Sequence, residues 1–184
     1  MSADKVTKQQ LRAVQEQRLH DFLQREDAEE IANSLYSRLY SDPDYLNSQT
    51  IGITLSMPGE LDTAPIIDQA HHNGKRIAIP RTLPHRQMAF VLLEPDTELV
   101  KTAFGTTEPT SGEIVDKADL EMLIVPGLAF SKNHYRVGYG GGFYDRYLAD
   151  FAGESLALVL PPQLFEVPTW PVESHDILMD KIIY

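Results

Sequence analysis

Tyr135-Arg136-Val137-Gly138-Tyr139-Gly140-Gly141-Gly142-Phe143-Tyr144-Asp145 is the stretch on which the fold of this chain turns. A short apolar run at 122–125 precedes it and stops at Pro126-Gly127, and residues 142–151 carry a helical composition. A strand upstream of a glycine loop that leads into a helix belongs to the α/β class, and it puts the loop near the carboxyl edge of a sheet, where such folds bind ligands. Gly138, Gly140, Gly141 and Gly142 have no β-carbon, so the backbone reaches positive φ cheaply and brings its N–H groups close to a ligand. Successive N–H groups form an anion-binding nest, and the helix start adds the positive end of its dipole. Arg136 offers a planar charged fork to phosphate oxygens, and Lys132 adds charge nearby. Asp145 falls in the first helical turn, where it either stabilises the helix start or shares a magnesium ion with a polyphosphate. The stretch is not a P-loop, because no Gly-Lys-Ser/Thr follows, and its spacing fails the dinucleotide fingerprint. On glycine clustering alone, a flexible turn and a phosphate grip both stay open.

Outward from the loop, hydrophobic spacing predicts an amphipathic helix over 6–25 on Leu11, Val14, Leu19, Phe22 and Leu23. A second helix is predicted over 27–40, with Asp27 as N-cap and Ser41-Asp42-Pro43 as its stop. Strands are predicted at 50–55, at 76–79 ended by Pro80, at 88–93, at 122–125, at 156–160 and at 181–184. Between the first two lie a turn at 56–60 and a helix at 63–73, with Gly74 as a left-handed stop. Residues 94–119 are irregular and long for a connection, which suggests an active-site loop or a minor hairpin. Together these elements predict a single α/β domain over 1–184, a parallel-rich sheet sandwiched between helices, with an N-terminal helical arm.

The 184 residues suit one domain, and no apolar run approaches the length of a membrane span. The polar N-terminus lacks a signal-peptide pattern, so a cytoplasmic location is expected. No cysteine is present, which removes disulfides, thiolate metal sites and cysteine nucleophiles. A net charge of −11 argues against nucleic acid as a partner, whereas a small anion needs only a few local cations. His20, His71, His72, His85 and His134 form no metal-binding spacing and read as surface residues.

The run Leu123-Ile124-Val125-Pro126-Gly127-Leu128-Ala129-Phe130, followed by residues 135–148, resembles the 5-formyltetrahydrofolate cyclo-ligase family, also called methenyltetrahydrofolate synthetases. Three further stretches agree in order: Lys8-Gln9-Gln10-Leu11-Arg12, Leu55-Ser56-Met57-Pro58-Gly59-Glu60-Leu61-Asp62-Thr63, and Gly74-Lys75-Arg76-Ile77-Ala78-Ile79-Pro80-Arg81. His175-Asp176 followed by Asp180 is a looser match. The resemblance implies an enzyme in which ATP phosphorylates the formyl oxygen of 5-formyltetrahydrofolate. Nitrogen 10 then closes the ring to 5,10-methenyltetrahydrofolate, with release of ADP and phosphate. It implies magnesium as cofactor, and the charge and the lack of a long apolar run add the expectation of no nucleic-acid or membrane partner. A monomer or weak homodimer is expected, and the folate is either the simple or the polyglutamylated form.

The same resemblance assigns roles. Lys8, Arg12 and residues Arg136, Val137, Gly138, Tyr139, Gly140, Gly141, Gly142, Phe143 and Tyr144 are expected to bind ATP, with Arg136 and Tyr144 as the catalytic pair. From spacing alone Lys8 and Arg12 share a helix face that reads as a solvated one, and the resemblance reverses that reading. Lys5 lies out of their register. Leu55, Glu60, Phe104, Tyr139, Gly140, Gly141, Gly142 and Phe143 are expected to face folate, with Met57 beside them. Glu60 would accept N–H donors of the pterin edge. Phe143 stands where family members often carry tyrosine. Asp145 and Asp176 are the expected magnesium ligands, with Asp180 the alternative to Asp176. Arg81 and Arg86 either meet a glutamate tail or are surface charges. Two other readings stay open: a folate or nucleotide binder without turnover, and an ATP-dependent enzyme acting on another formyl or amide substrate.

Overall fold

The structure is a computed structural model that describes residues 6–184. Lys5 lies outside the described residues. The chain runs through α1 (Lys8–Leu23), α2 (Ala28–Tyr40), α3 (Pro43–Asn47), β1 (Thr50–Ile53), α4 (Ala64–His72), β2 (Arg76–Leu83) and β3 (Gln87–Leu92). It continues through β4 (Leu99–Lys101), β5 (Thr107–Pro109), β6 (Ile114–Val115), β7 (Met122–Ile124), β8 (Ala129–Ser131) and β9 (Arg136–Val137). It ends with α5 (Phe143–Leu148), β10 (Glu154–Leu158), β11 (Leu164–Phe165) and β12 (Lys181–Ile183).

Seven strands form the main sheet in the order β12-β10-β7-β1-β2-β3-β6. The first five are mutually parallel, and β3 and β6 add antiparallel strands at one edge. Side chains alternate across the pleat. Ile51, Ile53, Ile77, Ile79, Met122, Ile124, Leu156 and Leu158 pack under α1, α2 and α4. Ala78, Leu123, Val125, Ala157 and Val159 pack on the opposite face with Leu148 of α5. Both faces are covered, which is why these strands read as apolar runs rather than alternating ones. A third cluster joins Leu11 of α1 to Ala129, Val137 and Trp170 beneath the small sheet β11-β8-β9. The helical arm therefore lies against the body of the domain.

Gly74 ends α4 at φ +70 as the pattern predicts, with Gly74 N–H and Lys75 N–H closing on the carbonyls of His71 and Ala70. Three boundaries differ from expectation. Pro80 does not end β2, which runs on to Leu83 against β3. Pairing with β1 stops at Ala78, so beyond that point β2 has a partner on one side only, and an edge tolerates the missing N–H. Asp27 occupies the N-cap position of α2 but does not cap it, because Arg25 takes its carboxylate at 2.6 and 2.8 Å. The helix after the glycine loop is only Phe143–Leu148, so its dipole is shorter than the sequence suggests. The irregular stretch 94–119 contains the β4–β5 ribbon and β6. Among the described residues no helix is long and apolar enough to cross a membrane.

Candidate active site

Strand β1 has β2 on one side and β7 on the other; the connection after β1 runs to β2, and the connection after β7 runs the opposite way to β10. Beyond the carboxyl ends of β1 and β7 this reversal opens a crevice. A cleft of about 800 Å³ occupies it. The segment after β1 supplies Leu55, Met57 and Glu60; the segment after β7 supplies Pro126 and then the glycine loop. The amino end of α1 reaches over the same opening with Lys8 and Arg12, and the C-terminal segment with Glu173 and Asp176.

The loop keeps its shape through glycine at two positive-φ positions, Gly140 (φ +99) and Gly142 (φ +69). Among the described residues, no acceptor takes the backbone N–H groups of Gly140 to Asp145. They form a donor-rich lip on the cleft. Arg12 braces this lip from the solvent side: its Nε donates to the carbonyl of Gly138 at 2.7 Å, and its guanidinium packs on Gly140. Arg136 braces it from below. That side chain is 4% exposed, donates from Nη1 to the Pro126 carbonyl at 3.1 Å, and meets Asp145 through Nη2 at 3.4 Å. Its Nε has no partner, and its guanidinium lies 5.5 Å from the centre of the Tyr144 ring. The Tyr144 hydroxyl is likewise buried without a partner. Burial lifts this phenol well above its usual range, against the opposite pull of Arg136, so it remains a proton donor.

The opposite wall is built on Glu60. Its Oε2 accepts the Met57 N–H at 2.6 Å, and its Oε1 accepts the Tyr139 hydroxyl at 2.5 Å. Burial, then the charge of Glu60, raises the Tyr139 phenol far above its normal range. Phe104 stands edge-on to Tyr139, ring centres 6.2 Å apart, and is 64% exposed. Tyr139 thus joins the two walls, with its backbone in the loop and its hydroxyl on Glu60.

Lys8 Nζ sits 2.6 and 2.8 Å from the two carboxylate oxygens of Asp176 and 2.9 Å from Glu173. Burial lowers this ammonium's pKa, but the hydrogen bonds it donates to Asp176 and Glu173, with their negative charges, outweigh burial and raise it overall. Ligand atoms of Glu173, His175 and Asp176 lie within 4.8 Å of one another, with the Lys8 ammonium bound to two of the three residues. Asp145 is on the cleft but outside that group. Asp180 faces elsewhere: its carboxylate takes the N–H and hydroxyl of Ser155 at 2.9 and 2.6 Å and anchors β10.

One cleft is lined by Leu55, Glu60 and Phe104, the loop from Arg136 to Asp145, Lys8, Arg12 and Asp176, with Met57 and Arg86 beside them. Lys132 does not join them, because it pairs with Glu166 at 2.6 Å. Arg81 is not on the cleft either; its Nη1 reaches the Thr110 carbonyl at 3.3 Å. His134 is no plain surface residue, since its ring Nδ1 lies 2.7 Å from the Met179 carbonyl. Three features escaped the sequence reading. Gln15, fully buried in α1, holds the carbonyls of Leu128 and Pro162 at 2.9 and 2.8 Å. Thr7 and Gln10 form a capping box that starts α1, a signal the Thr-x-x-Gln spacing does carry. Glu108, 6% exposed on the cleft wall, sits in a stretch without any periodic pattern.

The sequence model of the 5-formyltetrahydrofolate cyclo-ligase family matches residues 4–184. The 5-formyltetrahydrofolate cyclo-ligase of Escherichia coli K12 is 31% identical over 165 residues, covering 86% of this chain and 90% of that protein. The mouse cyclo-ligase is 31% identical over 164 residues, covering 82% and 80%. Among solved structures, the 5,10-methenyltetrahydrofolate synthetase of Aquifex aeolicus superposes with a TM-score of 0.77 at 28% identity, covering 95% of this chain and 88% of that one. The Mycoplasma pneumoniae synthetase, at 19% identity, shares the fold with a TM-score of 0.74 over 97% and 98%.

Proposed function

The chain belongs to the 5-formyltetrahydrofolate cyclo-ligase family, and we propose that it uses ATP to convert 5-formyltetrahydrofolate to 5,10-methenyltetrahydrofolate, ADP and phosphate. The observation that carries this proposal is a single cleft whose donor-rich loop and carboxylate wall meet at Tyr139. Its volume of about 800 Å³ lies toward the upper end of small-molecule sites, which suits two ligands side by side.

The chemistry follows from the leaving group. A formamide oxygen departs poorly. Transfer of the γ-phosphoryl group to that oxygen, with ADP leaving, makes the formyl carbon electrophilic. Nitrogen 10 adds to the carbon and loses its proton, and the C–O bond breaks to release phosphate. Phosphoryl transfer demands positioning and charge neutralisation rather than covalent help from the protein. Free N–H groups from Gly140 to Asp145 suit phosphate oxygens, and Lys8 and Arg12 lie where a phosphate chain on that lip would run. Arg136 supplies its charge from beneath the loop. Glu60 and the Tyr139 hydroxyl suit the N–H edge of a pterin, with Phe104 and Leu55 as apolar walls. Tyr144, held protonated, can donate a hydrogen bond to an oxygen gaining charge.

Asp145 fits a magnesium ion, having one carboxylate oxygen 3.4 Å from Arg136 and lying on the cleft. Asp176 fits as a second ligand only when Lys8 releases it, since both its oxygens are engaged. Held by these carboxylates, a magnesium ion would supply positive charge against the phosphates. The test is to incubate the protein with Mg-ATP and 5-formyltetrahydrofolate and follow the near-ultraviolet absorbance of the methenyl product. Folded protein that gives no ATP-dependent signal would refute the proposal.

A further inference from the structure

Glu108 is a buried carboxylate with no cation within ion-pair distance among the described residues. Such a group is costly unless hydrogen bonds satisfy it. Oε2 accepts both the N–H and the hydroxyl of Thr82 at 2.8 Å each, and Oε1 accepts the hydroxyl of Thr106 at 2.9 Å. A carboxylate only accepts, so Thr106 must donate to it. The 2.7 Å contact between the hydroxyls of Thr106 and Thr102 is therefore donated by Thr102. The same two residues are joined by Thr102 N–H to the Thr106 carbonyl at 2.8 Å, closing a tight turn with Gly105 at φ +102. Phe104 sits in this turn and reaches out over Tyr139.

The chain of bonds thus runs from strand β2, through Glu108, to the turn between β4 and β5. That ribbon is otherwise outside the main sheet and exposes Leu99 and Val100. Little apolar packing holds the turn where Phe104 needs to be, and the polar network does it instead.

We propose that Glu108 is a positioning residue for the folate side of the cleft: through Thr106 and Thr102 it ties the Phe104 turn to β2 and fixes the ring that closes the pocket over Tyr139. The proposal rests on the folate reading above. Glutamine at this position would keep the tie. Its amide oxygen faces Thr82, its NH₂ donates to Thr106, and the two threonine hydroxyls reverse direction.

The experiment compares Thr106→Val, Glu108→Gln, Phe104→Ala and the Thr106→Val/Phe104→Ala double variant in steady-state turnover, with folate and ATP titrated separately. Thr106→Val should raise the KM for folate about tenfold, leave the KM for ATP within about twofold, and add nothing once Phe104 is gone. Glu108→Gln should stay near the parent protein. Additive losses in the double variant, or an unchanged folate KM in Thr106→Val, overturn the proposal. So does a Glu108→Gln variant as impaired as Thr106→Val, because the carboxylate charge would then act on the substrate directly. If the parent protein itself neither binds nor turns over folate, the functional reading has failed and takes this proposal with it. Turnover by the parent with any of the overturning outcomes sinks the proposal alone.

Discussion

Replacing Gly138 with alanine places a methyl group 2.5 Å from Nη1 of Arg136, 3.3 Å from Cζ and 3.5 Å from Nη2. The backbone at Gly138 is not left-handed, so this collision alone opposes the change. Ordinary contact begins near 3.4 Å, and the guanidinium must retreat by about 1 Å. Its contacts hold it in place. The side chain is 4% exposed, is fixed by the Pro126 carbonyl and Asp145, and is flanked by the ring of Tyr144. A retreat breaks at least one charged hydrogen bond, costing about 1.5–3 kcal/mol, and overpacking strain adds about 1–3 kcal/mol. At about 2–4 °C per kcal/mol for a domain of this size, the melting temperature should fall by roughly 5–20 °C. Gly142→Ala is the control. Its methyl group would meet Nη1 of Arg146 at 2.6 Å, but that side chain is exposed, and when it swings aside its 3.2 Å hydrogen bond to the Gly142 carbonyl is exchanged for one to water. What remains is left-handed backbone at φ +69, about 1–2 kcal/mol. Calorimetry should therefore rank Gly138→Ala below Gly142→Ala, opposite to the order expected from backbone strain alone. The reverse order, or a Gly138→Ala protein melting within about 2 °C of the parent, would show that Arg136 is not locked beneath the loop.

Tyr139→Phe leaves Glu60 with only the Met57 N–H and should raise the folate KM about tenfold without moving the ATP KM; equal effects on both would remove Tyr139 from the folate wall. Asp180→Ala should lower stability in urea by about 1–3 kcal/mol while the folded fraction keeps its kcat/KM, whereas Asp176→Ala should raise the KM for Mg-ATP; an activity loss specific to Asp180→Ala would reverse that assignment. Burial raises the phenols of Tyr36, Tyr45 and Tyr147 to about 12. The folded state thus holds their protons more tightly than the unfolded one, so the stability they confer is complete below pH 10 and is lost as pH climbs towards 12. Phenolate absorbance at 295 nm from these residues should therefore appear together with loss of circular dichroism over that window, and their ionisation near pH 10 in an intact fold would contradict it.

Elements held by local pattern were legible in the sequence. The strands at the centre of the sheet are short apolar runs because both their faces are covered, and Gly74 announces a helix end by its own backbone. What escaped depends on partners far away in the chain. Pro80 reads as a strand end until β3 is known to pair beyond it. Gln15 reads as one more polar residue of an amphipathic helix, yet its amide is spent on carbonyls more than a hundred positions away. Asp176 and Asp180 look interchangeable in sequence, and only the fold turns one toward Lys8 and the other toward Ser155. Glu108 lies in an irregular segment whose register against β2 no spacing rule supplies.

The charges gathered at the cleft lead to a last prediction. Its lining carries Lys8, Arg12, Arg86, Arg136 and Arg146 against Glu60, Glu108, Asp145, Glu173 and Asp176, a local balance near zero in a chain of net charge −11. Two of those cations are already engaged: Lys8 by Asp176 and Glu173, Arg136 by Asp145. ATP without a metal would bring several negative charges to a lip that has Asp145 beside it. At contact distances each unpaired like-charge interaction costs up to about 4 kcal/mol near a protein surface. The neutral N–H groups of the loop offset part of this, but they cannot supply the missing positive charge. Nucleotide is therefore predicted to bind together with its own cation, and removing divalent metal should weaken ATP binding at least about tenfold in a calorimetric titration. Asp145→Asn removes the repulsion together with the ligand, so its metal-free ATP affinity should exceed that of the parent while its gain from magnesium shrinks. A variant that loses affinity equally with and without magnesium would place Asp145 in support of Arg136 alone.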